Sequence, residues 1–274
     1  MLLQRLLVTL VLLPLGMWAM FAGEISFGLM IVVMLLFAIW EYAHLFKTGG
    51  YQPAAFVLLT GAALLSLSRI FYGQQWDQLI LAGLVLIAMA YHSFTYERGR
   101  DQAPLDLLAT FGGLIYVAFL GSYFIAVRGL PGGEWWMLVV FIAVWWADTG
   151  GYFIGRAYGR HKMAPRLSPK KSWEGYFAGI VMSIAGSALF LKIYLLLNLP
   201  VDPEVTFLRV LILSVFLSVF PTIGDLGISM IKRHFSVKDS GKILPGHGGM
   251  LDRMDSWLWA AVIGYYLITL LFLK

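Results

Sequence analysis

The sequence contains no cysteine, and this absence removes several kinds of chemistry at once. Without thiol groups the chain can form no disulfide, bind no metal through thiolates and use no cysteine nucleophile. Charge is scarce too, since only 13% of the 274 residues are charged whereas 60% are hydrophobic. So little polar surface cannot cover a water-soluble globule of this size. The composition therefore predicts an integral membrane protein.

Long polar stretches are also missing. The polar intervals reach only about twenty residues, which is too short for any of them to fold as a separate domain. Between them lie apolar runs that can each cross a hydrocarbon core of about 30 Å as a helix. The whole chain, 1–274, is predicted to be a single membrane domain, with N-terminal helices in 1–133 and the functional residues in 134–274. We predict an all-α polytopic fold with about nine transmembrane helices, near residues 5–22, 26–45, 54–72, 78–95, 106–127, 134–155, 175–198, 206–233 and 256–273.

The distribution of basic residues predicts the orientation of these helices. If all nine cross the membrane, fifteen of the twenty lysines and arginines fall on the side that holds the N-terminus. Basic residues accumulate on the cytoplasmic side of membrane proteins. We therefore expect a cytoplasmic N-terminus, an outside C-terminus, and two cytoplasmic loops that hold most of the charge. These loops could be basic for topology alone, but they interleave lysine and arginine with serine, proline, glycine and acids, which favours a binding site.

The most distinctive segment runs from Ser229 to Asp255 and mixes cations, carboxylates and glycines in an otherwise apolar chain. The helix that leads into it, near 205–235, would be roughly 45 Å long, which is more than a bilayer requires. Pro221 lacks a backbone donor and Gly224 follows it, so we predict a kink near 220–224.

Carboxylates in this segment and in the helix just before it are spaced to share helix faces. Asp225, Ser229 and Lys232 follow an i, i+4, i+7 pattern, and Asp252 and Asp255 are three residues apart. An acid this close to hydrocarbon needs a partner. A structural ion pair with a nearby lysine or arginine is one interpretation of Asp225; the other is a metal ligand. Three carboxylates would suit Mg²⁺, which prefers oxygen ligands and commonly takes others from substrate phosphates.

A glycine-rich turn, Pro245-Gly246-His247-Gly248-Gly249, lies within the same segment. Glycines allow positive φ and close approach of an anion to backbone N–H groups. A flexible linker with a solvated histidine is the alternative, since such turns are common. The charged residues on either side favour phosphate binding; they are Lys238, Asp239, Asp252 and Arg253.

A second charged segment follows the sixth predicted helix. Asp148 lies about two helical turns inside that helix, where it either makes a buried structural hydrogen bond or lines a polar cavity. The following loop offers lysines and a hydroxyl next to a helix start, which suit a triphosphate. The candidate residues of this loop are Lys162, Ser168, Lys170 and Lys171.

Both segments resemble the phosphatidate cytidylyltransferases, also called CDP-diacylglycerol synthases. The first resemblance is carried by Ser229-x-Ile231-Lys232-Arg233, Lys238-Asp239-x-Gly241 and Leu244-Pro245-x-His247-Gly248-Gly249-Met250-x-Asp252-Arg253-Met254-Asp255. The second is carried by Ala147-Asp148-x-Gly150 and Ser168-Pro169-x-Lys171-x-Trp173-Glu174-Gly175. Residues 1–140 resemble the family only as a run of membrane helices.

The resemblance implies a multi-pass inner-membrane enzyme, usually a homodimer, with its active site facing the cytoplasm. It condenses CTP with phosphatidic acid to give CDP-diacylglycerol and pyrophosphate, and no nucleic acid is involved. Mg²⁺ on Asp225, Asp252 and Asp255, with a second metal ion possible, would bridge phosphate oxygens, while cations offset the remaining charge. The expected catalytic residues are Asp225, Lys232, Arg233, Asp252 and Arg253. The expected CTP and phosphate ligands are Asp148, Lys162, Ser168, Lys170, Lys171, Ser229, Lys238, Asp239, His247, Gly248 and Gly249.

Other functions fit parts of the pattern. A related membrane cytidylyltransferase could use another lipid phosphate as acceptor. A cation-coupled transporter could use Asp148 and Asp225 with a broken eighth helix, but the charges gather on one side and no internal repeat is evident. A membrane scaffold would leave the ordered acids without a purpose.

Overall fold

The computed structural model describes residues 2–198, 201–243, 246 and 248–273, with side chains from residue 10 onward. Eleven α-helices follow the chain: α1 (Leu2–Ala22), α2 (Glu24–Thr48), α3 (Ala55–Tyr72), α4 (Asp77–Glu97), α5 (Ala103–Gly112), α6 (Tyr123–Arg128), α7 (Gly133–Tyr158), α8 (Trp173–Leu196), α9 (Phe207–Val219), α10 (Pro221–His234) and α11 (Leu251–Leu267). Two π-helical segments, Gly113–Phe119 and Ile268–Phe272, continue α5 and α11.

The predicted all-α polytopic fold is confirmed. Eight helical segments in the described ranges are long and apolar enough to cross a membrane, and the first helix adds a shorter apolar stretch, Leu10–Ala22. Each of the nine predicted apolar runs coincides with one of these segments. The predicted orientation of the termini stays a prediction.

The fold contains one element that the sequence did not predict, a two-stranded antiparallel sheet between α7 and α8. Its strands are β1 (Lys162–Ala164) and β2 (Ser168–Ser172), with Lys162 opposite Ser172 and Ala164 opposite Ser168. Ser-Pro-Lys-Lys-Ser has neither the β-branched residues nor the alternation that mark a strand. The pairing of the two strands therefore holds the lysines of this loop at fixed positions.

The start of α8 is determined by Ser172, the last residue of β2. Ser172 has extended backbone angles, and its hydroxyl oxygen accepts a hydrogen bond from the N–H of Gly175 at 3.2 Å. This is the geometry of a helix N-cap. Glu174 lies in the first turn, where a negative charge is favourable. The hairpin is therefore joined directly to a capped membrane helix.

The predicted kink in the eighth span is confirmed as a break. α9 ends at Val219 and α10 begins at Pro221, which supplies no N–H to the preceding turn. The hydroxyl of Tyr176 on α8 donates to the carbonyl of Val219 at 3.3 Å. This bond satisfies a backbone oxygen next to the break, which the interior of a bilayer requires.

The chain divides into two compact units. The first contains the residues up to Gly129 together with Lys232–Met254, and the second contains Leu130–Ile231 together with the residues from Asp255 onward. The segment after α10 thus belongs to the same unit as the N-terminal helices. The prediction of a single membrane domain stays a prediction.

Each unit has its own packed interior. In the first unit, large apolar side chains such as Phe27, Leu35 and Leu65 are fully buried, and a buried ion pair joins Arg69 to Asp77 at 2.6 Å. In the second unit the backbones of α7 and α8 are in close contact at Gly179. A Cβ atom at this position would lie only 2.7 Å from the Ala147 carbonyl oxygen. Small residues allow such close helix contacts in membranes.

Candidate active site

In the second unit, the hairpin and α10 meet at a charged pair. The ammonium group of Lys171 on β2 lies 2.6 Å from Oδ2 of Asp225, and the two side chains are 26% and 28% exposed. The Ser229 hydroxyl donates to Oδ1 of Asp225 at 3.2 Å, which confirms that these two residues share a face of α10. The structure therefore joins the hairpin to the helix that leads into the other charged segment, some fifty residues further along the chain.

The pair answers part of the question about Asp225. The ion pair that was its structural interpretation exists, but an ion pair this exposed contributes little stability, about 0–1 kcal/mol. A carboxylate that is accessible and already held beside a cation and a hydroxyl can also receive a phosphate-bound metal ion. Both interpretations of Asp225 are compatible with this geometry.

A glycine brings the neighbouring helix close to Asp225. Gly224 is buried, and a Cβ atom there would lie 2.5 Å from the Asp255 carbonyl oxygen and 2.7 Å from Cδ1 of Trp259. α10 and α11 therefore touch at this position, one residue from the predicted metal ligand Asp225 and at the backbone of the predicted ligand Asp255. Oδ1 of Asp255 accepts from the N–H of Ser256 at 2.6 Å, and the residue is 9% exposed.

In the first unit, Asp252 is held by three donors. Oδ1 accepts from the ammonium of Lys232 at 2.6 Å, and Oδ2 accepts from the N–H groups of Ser240 and Gly249 at 2.8 and 3.0 Å. Asp252 and Lys232 are each 8% exposed. The sequence predicted Lys232 and Asp252 as functional candidates, but it did not reveal that they form a buried pair. This pair closes the loop between α10 and α11.

The donor chemistry around these carboxylates partly fits the predicted Mg²⁺. Within the described part of the chain, no group of three or more histidine and carboxylate side chains is placed to hold a metal. Mg²⁺ needs only one or two carboxylates when substrate phosphates and water complete its shell. Asp225 meets this requirement because its side chain is accessible and has oxygen donors only. Asp252 fits less well, because it is buried and its two oxygens accept from Lys232 and from two backbone N–H groups. The magnesium site stays a prediction.

The other predicted residues of the hairpin and α7 are mostly at the surface. Lys162 and Lys170 are exposed, and Ser168 is half-buried opposite Ala164. Asp148 is exposed on α7, and its two interpretations stay predictions. The hairpin thus presents several cations beside the Lys171 pair.

The predicted residues around the glycine-rich turn are more varied. Arg233, Lys238, Asp239 and Arg253 are exposed, and Arg233 donates to the Val237 carbonyl at 3.3 Å. Gly248 has a positive φ of 84°, which favours glycine, and Gly249 is buried. His247 lies outside the described residues.

Sequence reasoning missed two residues that the structure ties to these segments. His161 has its N–H and Nδ1 within 3.1 and 2.6 Å of Glu174 Oε1, so the base of the hairpin is fixed to α8. Glu41 on α2 is fully buried and bonds to the loop that Asp252 closes. A lone carboxylate in an apolar helix is the signal that could have found Glu41, since charged groups inside membranes are costly and tend to be functional.

Fold and site together define a class. This is a polytopic α-helical membrane protein that carries paired lysines and carboxylates, a hydroxyl and glycine turns at its helix ends. Such groups suit phosphate chemistry. A model of the cytidylyltransferase family matches residues 3–271, and the chain belongs to this family.

Individual relatives carry a more specific name. The chain is 36% identical over 192 residues to the phosphatidate cytidylyltransferase of Bacillus subtilis, covering 70% of this chain and 66% of the relative. It is 36% identical over 203 residues to that of Staphylococcus epidermidis, covering 74% and 75%. It is 32% identical over 262 residues to that of Brucella suis, covering 95% and 91%. The resemblance found in the sequence is confirmed, and the transporter and scaffold interpretations gain no support.

Proposed function

We propose that this protein is a phosphatidate cytidylyltransferase, which converts CTP and phosphatidic acid to CDP-diacylglycerol and pyrophosphate in phospholipid biosynthesis. Family membership and the names of the relatives support the reaction. The contact between Lys171 and Asp225 carries the proposal on the structural side. It joins, in one accessible charged pair, a lysine of one segment that resembles the enzyme family to the helix that leads into the other.

The reaction needs charge neutralisation more than acid–base catalysis. An oxygen of the phosphatidate phosphate attacks the α-phosphorus of CTP, the bond to the β-phosphate oxygen breaks, and pyrophosphate leaves with that electron pair. The attacking phosphate is already ionised at neutral pH, so no strong base is required. Lys171 and the neighbouring hairpin cations offset the repulsion between the two anionic substrates.

Mg²⁺ is proposed to bind at Asp225 and Asp255, the two predicted ligands that the second unit carries. When bound, it would supply positive charge to the phosphate oxygens of CTP. Asp225 would hold it through an accessible carboxylate, and Lys171 and Ser229 would orient that carboxylate. Asp252, whose oxygens are engaged by Lys232 and two backbone N–H groups, is proposed to act through the loop it holds.

Turnover by the purified protein tests the proposal. In detergent with CTP, Mg²⁺ and phosphatidate, we expect release of pyrophosphate and formation of a cytidine-containing lipid. EDTA should stop both, and added Mg²⁺ should restore them. Replacing phosphatidate with other lipid phosphates separates this reaction from a related cytidylyltransferase with a different acceptor. Absence of phosphatidate-dependent CTP consumption would contradict the proposal.

A pair of variants tests the role of Asp225. Asp225→Asn should lower turnover by about 100-fold or more, as removal of an electrostatic stabiliser does in other enzymes. Glu204→Gln is the matched control, because Glu204 is a carboxylate of the same unit that pairs with an arginine, Arg209, at the surface. The control should turn over as the wild type does. Undiminished turnover in Asp225→Asn would refute its assignment as a ligand.

The cytoplasmic orientation of the site, the inner-membrane location and the homodimer are also proposals. The excess of basic residues on one side supports the first two, and the family resemblance supports the third. Because the chain has no cysteine, single introduced cysteines report sidedness without a background. In intact cells, Arg166→Cys in the hairpin should be protected from an impermeant thiol reagent that labels Asn198→Cys. Labelling of both, or the reverse pattern, would contradict the orientation.

A further inference from the structure

We propose that Glu41 is a positioning residue for the signature loop, which we define as residues 240–252. The proposal assigns a role to α2, part of the N-terminal region for which the sequence suggested none. It also explains two of the glycines in the loop. The kinetic test of this proposal rests on the proposed cytidylyltransferase function, whereas the test by hydrogen exchange does not.

Glu41 bonds to both ends of the signature loop. Its Oε2 accepts a hydrogen bond from the Ser240 hydroxyl at 3.0 Å and another from the N–H of Leu251 at 2.9 Å. Ser240 begins the loop, and Leu251 begins α11 at its end. One carboxylate oxygen on a membrane helix thus holds together two points that are eleven residues apart along the chain.

Asp252 forms a second bridge within the loop. It accepts from the N–H of Ser240, and also from the N–H of Gly249. Ser240 therefore donates its N–H to one carboxylate and its hydroxyl to the other. Loss of either acid leaves the loop held by one bridge only. The two bridges hold Ser240, Gly249 and Leu251 in a single arrangement, and ligand binding requires such fixed positions.

Two glycines make room for Glu41. A Cβ atom on Gly241 would overlap Oε1 and Cδ of Glu41, and a Cβ atom on Gly249 would overlap its Oε2 and the Ser240 hydroxyl. Neither glycine has a positive φ, so the requirement is for space and not for an unusual backbone conformation. Glycine is needed at both positions because the Glu41 carboxylate lies against the loop backbone.

The burial of Glu41 is costly, which argues that the group is retained for its contacts. The residue is 0% exposed, and its Oε1 has no hydrogen-bond partner within the described part of the chain. A buried polar atom without a partner lowers stability. An apolar residue at position 41 would avoid this cost but would release the loop. Glutamine keeps an oxygen that can accept both hydrogen bonds, so it should substitute in part.

Kinetics distinguish a positioning role from a structural one. For Glu41→Ala we expect KM for CTP to rise about tenfold or more, since two buried hydrogen bonds to the loop are lost. Glu41→Gln should stay within about threefold of the wild type, because it retains the acceptor. The control is Asp106→Asn: Asp106 is an equally buried acid of the same unit that bonds to the N–H of Gln52 in another loop and pairs with Arg100.

The Asp106→Asn control distinguishes a positioning role of Glu41 from a purely structural one. Asp106→Asn should lower the unfolding temperature while KM for CTP stays unchanged in the folded protein. If Glu41→Ala behaves in the same way, with lower stability and an unchanged KM, then Glu41 is a structural residue and the proposal is overturned.

A double-mutant cycle tests the link to glycine. Gly241→Ala alone should impair CTP use, because the new Cβ collides with the Glu41 carboxylate. In the Glu41→Ala background the carboxylate is gone, so the same substitution should add little. Residues in contact give such non-additive effects. Fully additive losses would overturn the explanation of the glycine.

Hydrogen exchange tests Glu41 without any turnover. The N–H of Leu251 should exchange slowly in the wild type and in Glu41→Gln, and at least about tenfold faster in Glu41→Ala, since its acceptor is removed. This outcome would support the positioning role even if the wild type failed to consume CTP, in which case only the proposed function would fall. Equal exchange in wild type and Glu41→Ala would overturn the positioning role itself.

Discussion

Replacement of Asp252 by asparagine should destabilise the protein as well as inactivate it. The carboxylate faces the ammonium of Lys232 at 2.6 Å, and the two side chains are only 5% and 10% exposed. Asparagine removes the negative charge and leaves the lysine cation buried without a counter-ion. It also replaces an acceptor with an NH₂ donor. Whichever way the amide turns, that donor meets either the lysine ammonium or the N–H groups of Ser240 and Gly249.

The size of the effect follows from the burial of the pair. Removal of one partner from a buried ion pair typically costs about 3–5 kcal/mol. For a domain of this size, each kcal/mol lowers the unfolding temperature by about 2–4 °C, so the expected decrease is roughly 6–20 °C. The double variant Lys232→Met/Asp252→Asn should recover part of this loss, because it removes the stranded cation.

Thermal unfolding in detergent, followed by tryptophan fluorescence, measures these differences. Asp101→Asn serves as the control, since Asp101 is an exposed acid of the same unit and should change the unfolding temperature little. Pyrophosphate release is then measured well below the transition, where Asp252→Asn is folded and should be nearly inactive. An Asp252→Asn variant that unfolds at the wild-type temperature would refute the buried pair. It would also show that the loop does not depend on this acid.

Three further substitutions have distinct expected outcomes. Lys171→Met should leave the unfolding temperature almost unchanged, because an exposed pair contributes about 0–1 kcal/mol; pyrophosphate release should nevertheless fall, and unchanged turnover would contradict its role. Ser172→Ala removes the cap of α8 and should cost about 1 kcal/mol in unfolding measurements, a loss that a wild-type transition would disprove. Gly224→Ala brings a Cβ atom to 2.5 Å from the Asp255 carbonyl oxygen and should lower both stability and turnover. Gly83→Ala, which meets no atom within 4 Å, should lower neither, and equal losses in the two variants would contradict the close helix contact.

The sequence predicts the membrane helices well, because each follows from hydrophobicity and length alone. The break between α9 and α10 was also predictable, since Pro221 cannot continue the hydrogen-bond ladder whatever surrounds it. The hairpin was not, because Ser168–Ser172 has no strand pattern of its own. Its pairing depends on β1 and on its position between two long helices.

The candidate site was predictable in its residue types but not in its pairings. The sequence pointed to Lys171, Asp225, Lys232 and Asp252 as functional candidates, and the structure pairs Lys171 with Asp225 and Lys232 with Asp252. Spacing along a helix cannot reveal a partner that lies on another element. For the same reason Glu41 escaped notice, since nothing in the apolar sequence of α2 connects it to a loop some two hundred residues away.

The length of the broken helix determines how far Asp225 lies from the start of α9. The eighteen residue steps from Phe207 at the start of α9 to Asp225 on α10 rise by roughly 27 Å at about 1.5 Å per residue. This length nearly equals the hydrocarbon thickness of a typical bilayer, about 30 Å. When α9 starts at one edge of the hydrocarbon, Asp225 therefore lies close to the other edge, on the hydrocarbon side of the lipid phosphates. The thickness of the surrounding bilayer thus sets how deep this carboxylate lies, and a thinner or thicker membrane would shift it relative to the headgroup it has to meet.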